Sequence, residues 1–107
     1  MAENWRDKEK SLGVIQVNDK KKVVYDQTDN CPEILMLISS CTCLTAKYSK
    51  ENKTITAFLT ARKVPKHLRE QGWYKVRKHI KVYYKGSDQK VDKLYIEAVI
   101  KIKERLL

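Results

Sequence analysis

From Ile34 to Ala46 the chain carries no charged residue, although 34% of its 107 residues are charged. With its lead-in the stretch reads Cys31–Ala46, CPEILMLISSCTCLTA. As a helix, the uncharged part is about 20 Å long at ~1.5 Å rise per residue, too short to cross a bilayer. Asn30 suits an N-cap. Pro32 suits a first turn, where its missing N–H would be unpaired anyway, and Glu33 complements the positive helix end. The stretch therefore predicts a buried helix over Cys31–Ala46. Leu35, Ile38 and Thr42 share one face of it, while Met36, Leu37, Cys41 and Leu44 spread around the rest. A helix apolar on nearly every side must be covered on nearly every side. One small sheet covers one face, so a homodimer sharing this helix is expected. Asp at Leu37 or Ile38 would then bury an unpaired charge and abolish folding.

Length points to a single domain. Three glycines and two prolines argue against long linkers, and 42% hydrophobic residues is ordinary for a globular chain. The first residues, MAENWRDKEK, lack the apolar core of a signal peptide, so a cytoplasmic location is expected, with no membrane association. Of three cysteines, Cys41 and Cys43 stand two apart, and i, i+2 positions diverge around a helix. Free thiols in a reducing compartment follow from that reading. The formal net charge of +10 makes nucleic acid a possible partner. The alternative is that the lysines only keep the surface soluble.

In chain order, Leu12–Val17 and Lys22–Asp26 are β-rich runs around Asn18–Asp19–Lys20 and predict a hairpin. After the central helix, Thr54–Val64 alternates, with Ile55, Ala57, Leu59 and Ala61 on one side. His67–Gln71 predicts one helical turn. Trp73–Tyr84 alternates again: Tyr74, Val76, Ile80, Val82 and Tyr84 face one way, Trp73, Lys75, Arg77, His79, Lys81 and Tyr83 the other. Lys78 interrupts the apolar face. Beyond Gly86, with Ser87 or Asp88 as N-cap, Val91, Leu94, Tyr95, Ala98, Val99 and Ile102 have amphipathic helix spacing. The order ββαββα predicts an α+β domain, antiparallel strands packed on a buried central helix and a C-terminal helix.

These elements resemble the OsmC/Ohr family of thiol-dependent hydroperoxide reductases. The resemblance rests on a proline-started apolar helix with an internal cysteine, followed by two long strands and an amphipathic helix. It covers about 85 residues, a span read from the element order that defines such a domain. In that family the reactive cysteine lies eleven residues after the proline, which here is Cys43, with Cys41 two residues earlier. The resemblance implies an intertwined dimer and a peroxide-reacting thiol at Cys43 or Cys41. It also implies a hydroperoxide substrate and an external thiol reductant, with no cofactor. The family's Cys-Pro segment after the last helix has no counterpart here, and its catalytic arginine matches no position. A thiolate is the reacting species in such chemistry, so a cation must lie close. The alternative is that both cysteines are small buried hydrophobes.

Two further constellations remain. Cys31, Cys41, Cys43 and His67 or His79 lack the paired loop spacing of a structural zinc site, and no metal is expected. Lys75, Arg77 and Lys81, with Trp73 and Tyr83 on the same strand face, have the basic and aromatic character of a single-strand nucleic-acid platform. A solvated or partner-covered face is the alternative.

Overall fold

In a computed structural model the chain is described for residues 4–29, 31–61, 72–86 and 91–102. Seven strands run through them: β1 (Glu9–Gln16), β2 (Lys20–Asp26), β3 (Ile34–Ser39), β4 (Leu44–Ser49), β5 (Thr54–Thr60), β6 (Trp73–Tyr84) and β7 (Val91–Lys101). Four strands form one sheet in the order β1-β7-β6-β3, and three form the other in the order β2-β5-β4. Neighbours are antiparallel except β1 and β7, which run parallel.

No helix occurs among the described residues, which overturns the expected α+β architecture at two places. The uncharged stretch is not a helix but β3, a turn, and β4. A short apolar run fits a buried strand as well as a buried helix, and periodicity does not separate them. Ser39, Ser40 and the Cys41–Thr42–Cys43 turn cut it into two strand-length pieces. The dimer argument fails with the helix, because the all-round apolar surface never forms. The last amphipathic run is also a strand. Its helical spacing coexists with a period of two, Leu94, Ile96, Ala98 and Ile100, and these four lie at 0, 0, 4 and 2% exposure. Val91, Ile96, Val99 and Ile100 are β-branched, which favours the pleated form. The proposed caps Asn30, Ser87 and Asp88 and the turn His67–Gln71 lie outside the described residues.

The other strands follow their alternation. In β5, Ile55, Ala57 and Leu59 point into the core, as does Ala61 beyond its end. In β6 the inward set is Tyr74, Val76, Ile80, Val82 and Tyr84, four of them fully buried or nearly so. With Ile15, Tyr25, Leu44 and the four inward residues of β7 they form one core between the sheets. Each large aliphatic side chain there contributes roughly 1.5–3 kcal/mol of burial free energy. Trp5, which precedes β1, closes one end of that core at 1% exposure.

β1 and β2 are strands as expected, but they do not pair. Val17 N–H binds the Lys101 carbonyl at 3.2 Å and Asn18 N–H the Ala61 carbonyl at 2.6 Å, so the link turns a corner between the sheets. Asn18 accepts a φ of 76° there, a conformation that asparagine tolerates better than most residues. Within β1, a bulge between Ser11 and Val14 resets the alternation, with Gly13 at φ 70°. As a result Ile15 enters the core and Val14 is left 66% exposed. The sheet orders, β2-β5-β4 facing β3-β6-β7 with the first strand crossed over to the last, are those of an immunoglobulin-type sandwich.

Candidate interaction surface

The outer face of the four-stranded sheet gathers the side chains that β6 turns away from the core. Register aligns them in rows across the sheet. Gln16, Lys101 and Trp73 make one row, and Val14, Val99 and Lys75 the next. Ser11, Glu97 and Arg77 follow, then Glu9, Tyr95 and His79. Towards β3 lie Lys93, Lys81 and Ile38, and then Val91, Tyr83 and Met36. Two apolar ends flank a charged middle. Val14, Trp73, Val91, Met36 and Ile38 are 66, 45, 42, 47 and 44% exposed, too many for scattered single residues. At the Trp73 end, an open depression of about 690 Å³ is lined by Val14, Trp73, Val99, Lys101 and Ile102. A second, of about 380 Å³, adjoins it over Gly13, Lys75, Arg77 and Glu97.

Lys75, Arg77 and Lys81 do share this face, as their spacing predicted, but they are not equivalent. Arg77 is held by Glu9 at 2.8 Å and Glu97 at 3.4 Å. Its guanidinium also lies 4.2 Å from the centre of the Tyr95 ring. Its charge and its stacking surface are both used within the chain. Lys75, Lys81, Lys93 and Lys101 form no ion pair with another described residue. His79 registers the resulting field: partial burial first, then Lys93 and Lys81, lower its pKa below the ordinary value. Lys93, Tyr95 and Lys101 are hidden as members of this face when β7 is taken for a helix, and Val14 reaches it only through the bulge in β1. The period-two pattern of β7 was the signal that would have placed the first three.

The two candidate thiols lie elsewhere, in the β3–β4 turn, where the structure joins Cys41 and Cys43 in a disulfide with Cα atoms 5.2 Å apart. They do not diverge, because a tight turn brings i and i+2 together where a helix would not. The turn forms the mouth of a cleft of about 440 Å³ between the sheets, lined by Leu59, Ala61, Tyr74, Val76, Lys78 and Ile100. Cys31 is free and sits at the other end of β3. Its sulfur accepts a hydrogen bond from the Gln27 amide at 2.9 Å. Burial pushes this thiol up, and hydrogen bonds with Gln27 and Tyr84 pull against burial without overcoming it. A protonated thiol of this kind is a poor nucleophile. No group of three or more His, Cys, Asp or Glu is placed to hold a metal ion among the described residues.

Among the described residues no helix is long and apolar enough to cross a membrane. No protein-family model and no curated protein matches the chain. Among solved structures it is similar to the SrpA adhesin from Streptococcus sanguinis, at 11% identity and a TM-score of 0.49, over 88% of this chain and 54% of that one. An arginine-to-glutamate mutant of the same adhesin gives 12% identity and a TM-score of 0.48, over 85% and 54%. The chain thus spans about half the length of these structures, 54% in both. The all-β sandwich is not the frame that the resemblance to OsmC/Ohr implied. The peroxide-reductase reading loses the helix on which its reactive cysteine was to stand.

Proposed function

We propose that this chain is a β-sandwich binding module that holds an acidic protein partner against the outer face of its four-stranded sheet. The observation that carries this reading is the combination of Lys75, Lys81, Lys93 and Lys101 with exposed Val14, Trp73, Val91, Met36 and Ile38 on one continuous face. Exposed aliphatic and aromatic side chains supply the area that excludes water at a protein interface. Lysines around them select a partner of opposite charge and speed its approach. The charge argues against a second copy on this face, since the cations outnumber the carboxylates Glu9 and Glu97. A nucleic-acid platform would stack bases on open aromatic rings among its cations; in the charged middle of the face the Tyr95 ring is covered by Arg77, and the open ring of Trp73 stands at an apolar end.

The test uses the whole chain and a labelled extended peptide that alternates Glu with Val and Tyr. Its Lys-for-Glu counterpart and a single-stranded oligonucleotide serve as comparisons. The Glu peptide should bind, weaken with salt, and shift the emission of Trp73, which is 45% exposed while Trp5 is buried. Binding should fall at least about tenfold, or about 1.4 kcal/mol, in a Lys81→Glu, Lys93→Glu double variant. Equal binding of the Lys peptide, or preference for the oligonucleotide, would overturn the proposal.

A further inference from the structure

The Cys41–Cys43 disulfide contributes little as a staple. It joins positions only two apart in sequence, and a cross-link between such neighbours hardly restricts the unfolded chain. The turn is also held without it. Leu44 N–H binds the Cys41 carbonyl at 3.0 Å, Thr60 N–H the Cys43 carbonyl at 2.9 Å, and the Ser39 hydroxyl the Cys41 carbonyl at 3.1 Å. The S–S bond can therefore open and close while the sandwich stays folded. Both cysteines are partly exposed, and Thr42 between them is exposed.

The cleft behind the turn is built for more than packing. Leu59, Ala61, Val76 and Ile100 make its walls apolar, and one cation, Lys78, joins them. Lys78 stands opposite Ile96 in the β6–β7 register, and Ile96 is fully buried. The lysine side chain therefore leaves β6 on the core side, between Val76 and Ile80. That is the position at which Lys78 interrupts the apolar alternation of β6. A cation beside a cysteine pair stabilises the thiolate that departs when the bridge is attacked.

We propose that Cys41 and Cys43 form a thiol–disulfide exchange site for dithiol polypeptides, and that the cleft receives an apolar residue beside the attacking cysteine. A substrate thiolate attacks one sulfur of the bridge. The Cys41–Cys43 bond breaks, a mixed disulfide forms, and the other chain sulfur leaves as a thiolate at the cleft that Lys78 also lines. The substrate's second thiolate then attacks its own sulfur in the mixed disulfide and releases the remaining chain cysteine. Two electrons pass from the substrate to the chain, the substrate leaves as a disulfide, and its two protons end on Cys41 and Cys43. Cys31 takes no part, because the whole of β3, about 20 Å long at ~3.3 Å per residue, lies between it and the turn.

The experiment measures the rate at which the oxidised chain gains two hydrogens by mass. The reductant is a reduced peptide with two cysteines spaced by two residues and a Phe before the first. The comparison is an oxidised synthetic segment of residues 39–45, which has the same bridge without the fold. The chain should react at least about tenfold faster than the segment. It should prefer the Phe peptide to one with Glu in that place. Lys78→Met should lower the rate several-fold and Lys78→Arg should restore it, with circular dichroism unchanged between the oxidised and reduced chains. A rate equal to that of the segment, indifference to Lys78 and to the flanking residue, or loss of the sheet on reduction would overturn the proposal.

Discussion

The Trp5 indole N–H donates to the Tyr84 hydroxyl at 2.6 Å, and that hydroxyl donates onward to an Asp92 carboxylate oxygen at 2.6 Å. The relay ties the segment before β1 to the end of β6 and the start of β7. Asn4 and Lys8 complete it, both within 3.1 Å of the same carboxylate. Tyr84→Phe leaves the buried indole N–H without its acceptor and should cost about 1–3 kcal/mol. Trp5→Ala, which empties a fully buried site, should cost about 3–5 kcal/mol. Denaturant titrations of the two variants check both values.

The same carboxylate sets a pH dependence. Burial alone raises the Asp92 pKa, but the Tyr84, Asn4 and Lys8 contacts outweigh burial and hold it below the ordinary value of 3.8. A carboxyl depressed in the fold stabilises above its unfolded pKa and loses that contribution as pH falls through the folded one. Thermal stability should therefore decline below about pH 4. Asp92→Asn should lower stability at neutral pH and remove part of the acid slope. An unchanged acid slope in that variant would show that other groups govern it.

Ile38 separates the buried-helix expectation from the sandwich. On the helix its replacement by Asp would abolish folding; on the outer face of β3 it is 44% exposed. Ile38→Asp should change stability by less than about 1 kcal/mol. Ile80→Ala, at a fully buried position of β6, should cost about 2–5 kcal/mol.

β3 is an edge strand with no charged residue from Ile34 to Ser39. The β2 edge carries Lys20, Lys21 and Lys22 and the β4 edge carries Lys47, the kind of charge that keeps exposed edges from pairing. Self-association on concentration or gentle heating should therefore begin at β3. Met36→Lys or Ile38→Lys should raise the concentration at which light scattering grows, while a lysine at Val24 of β2 should not.

Affinity for the acidic peptide should rise as pH falls below 6.5, the ordinary histidine value. His79 is held below that value and becomes a cation beside Lys81 and Lys93 only on that side. His79→Gln should abolish the rise. Arg77→Ala should have a smaller effect on binding than Lys81→Glu, because Arg77 is already paired with Glu9 and Glu97. Its ion pairs are solvent-exposed, so folding stability should move by less than about 1 kcal/mol.

Local alternation was enough to place β5 and β6, including which side of β6 enters the core and that Lys75, Arg77 and Lys81 share the other. The same signal marked Lys78 as the exception now found at the cleft. The strands of the first two runs were legible as well, yet their partners were not. β1 lies on β7 and β2 on β5, pairings set by contacts 28 or more residues away in sequence. For Ile34–Ala46 and Val91–Ile102, the residues allowed both a helical and a two-residue period. Local preference in short apolar runs is worth less than the burial that a neighbouring strand offers. The tertiary structure resolved that tie, because the inward residues of β6 and β5 present flat apolar faces that only further strands can extend and cover. It also decided the state of Cys41 and Cys43: two residues apart on a turn, they meet, and on a helix they would not.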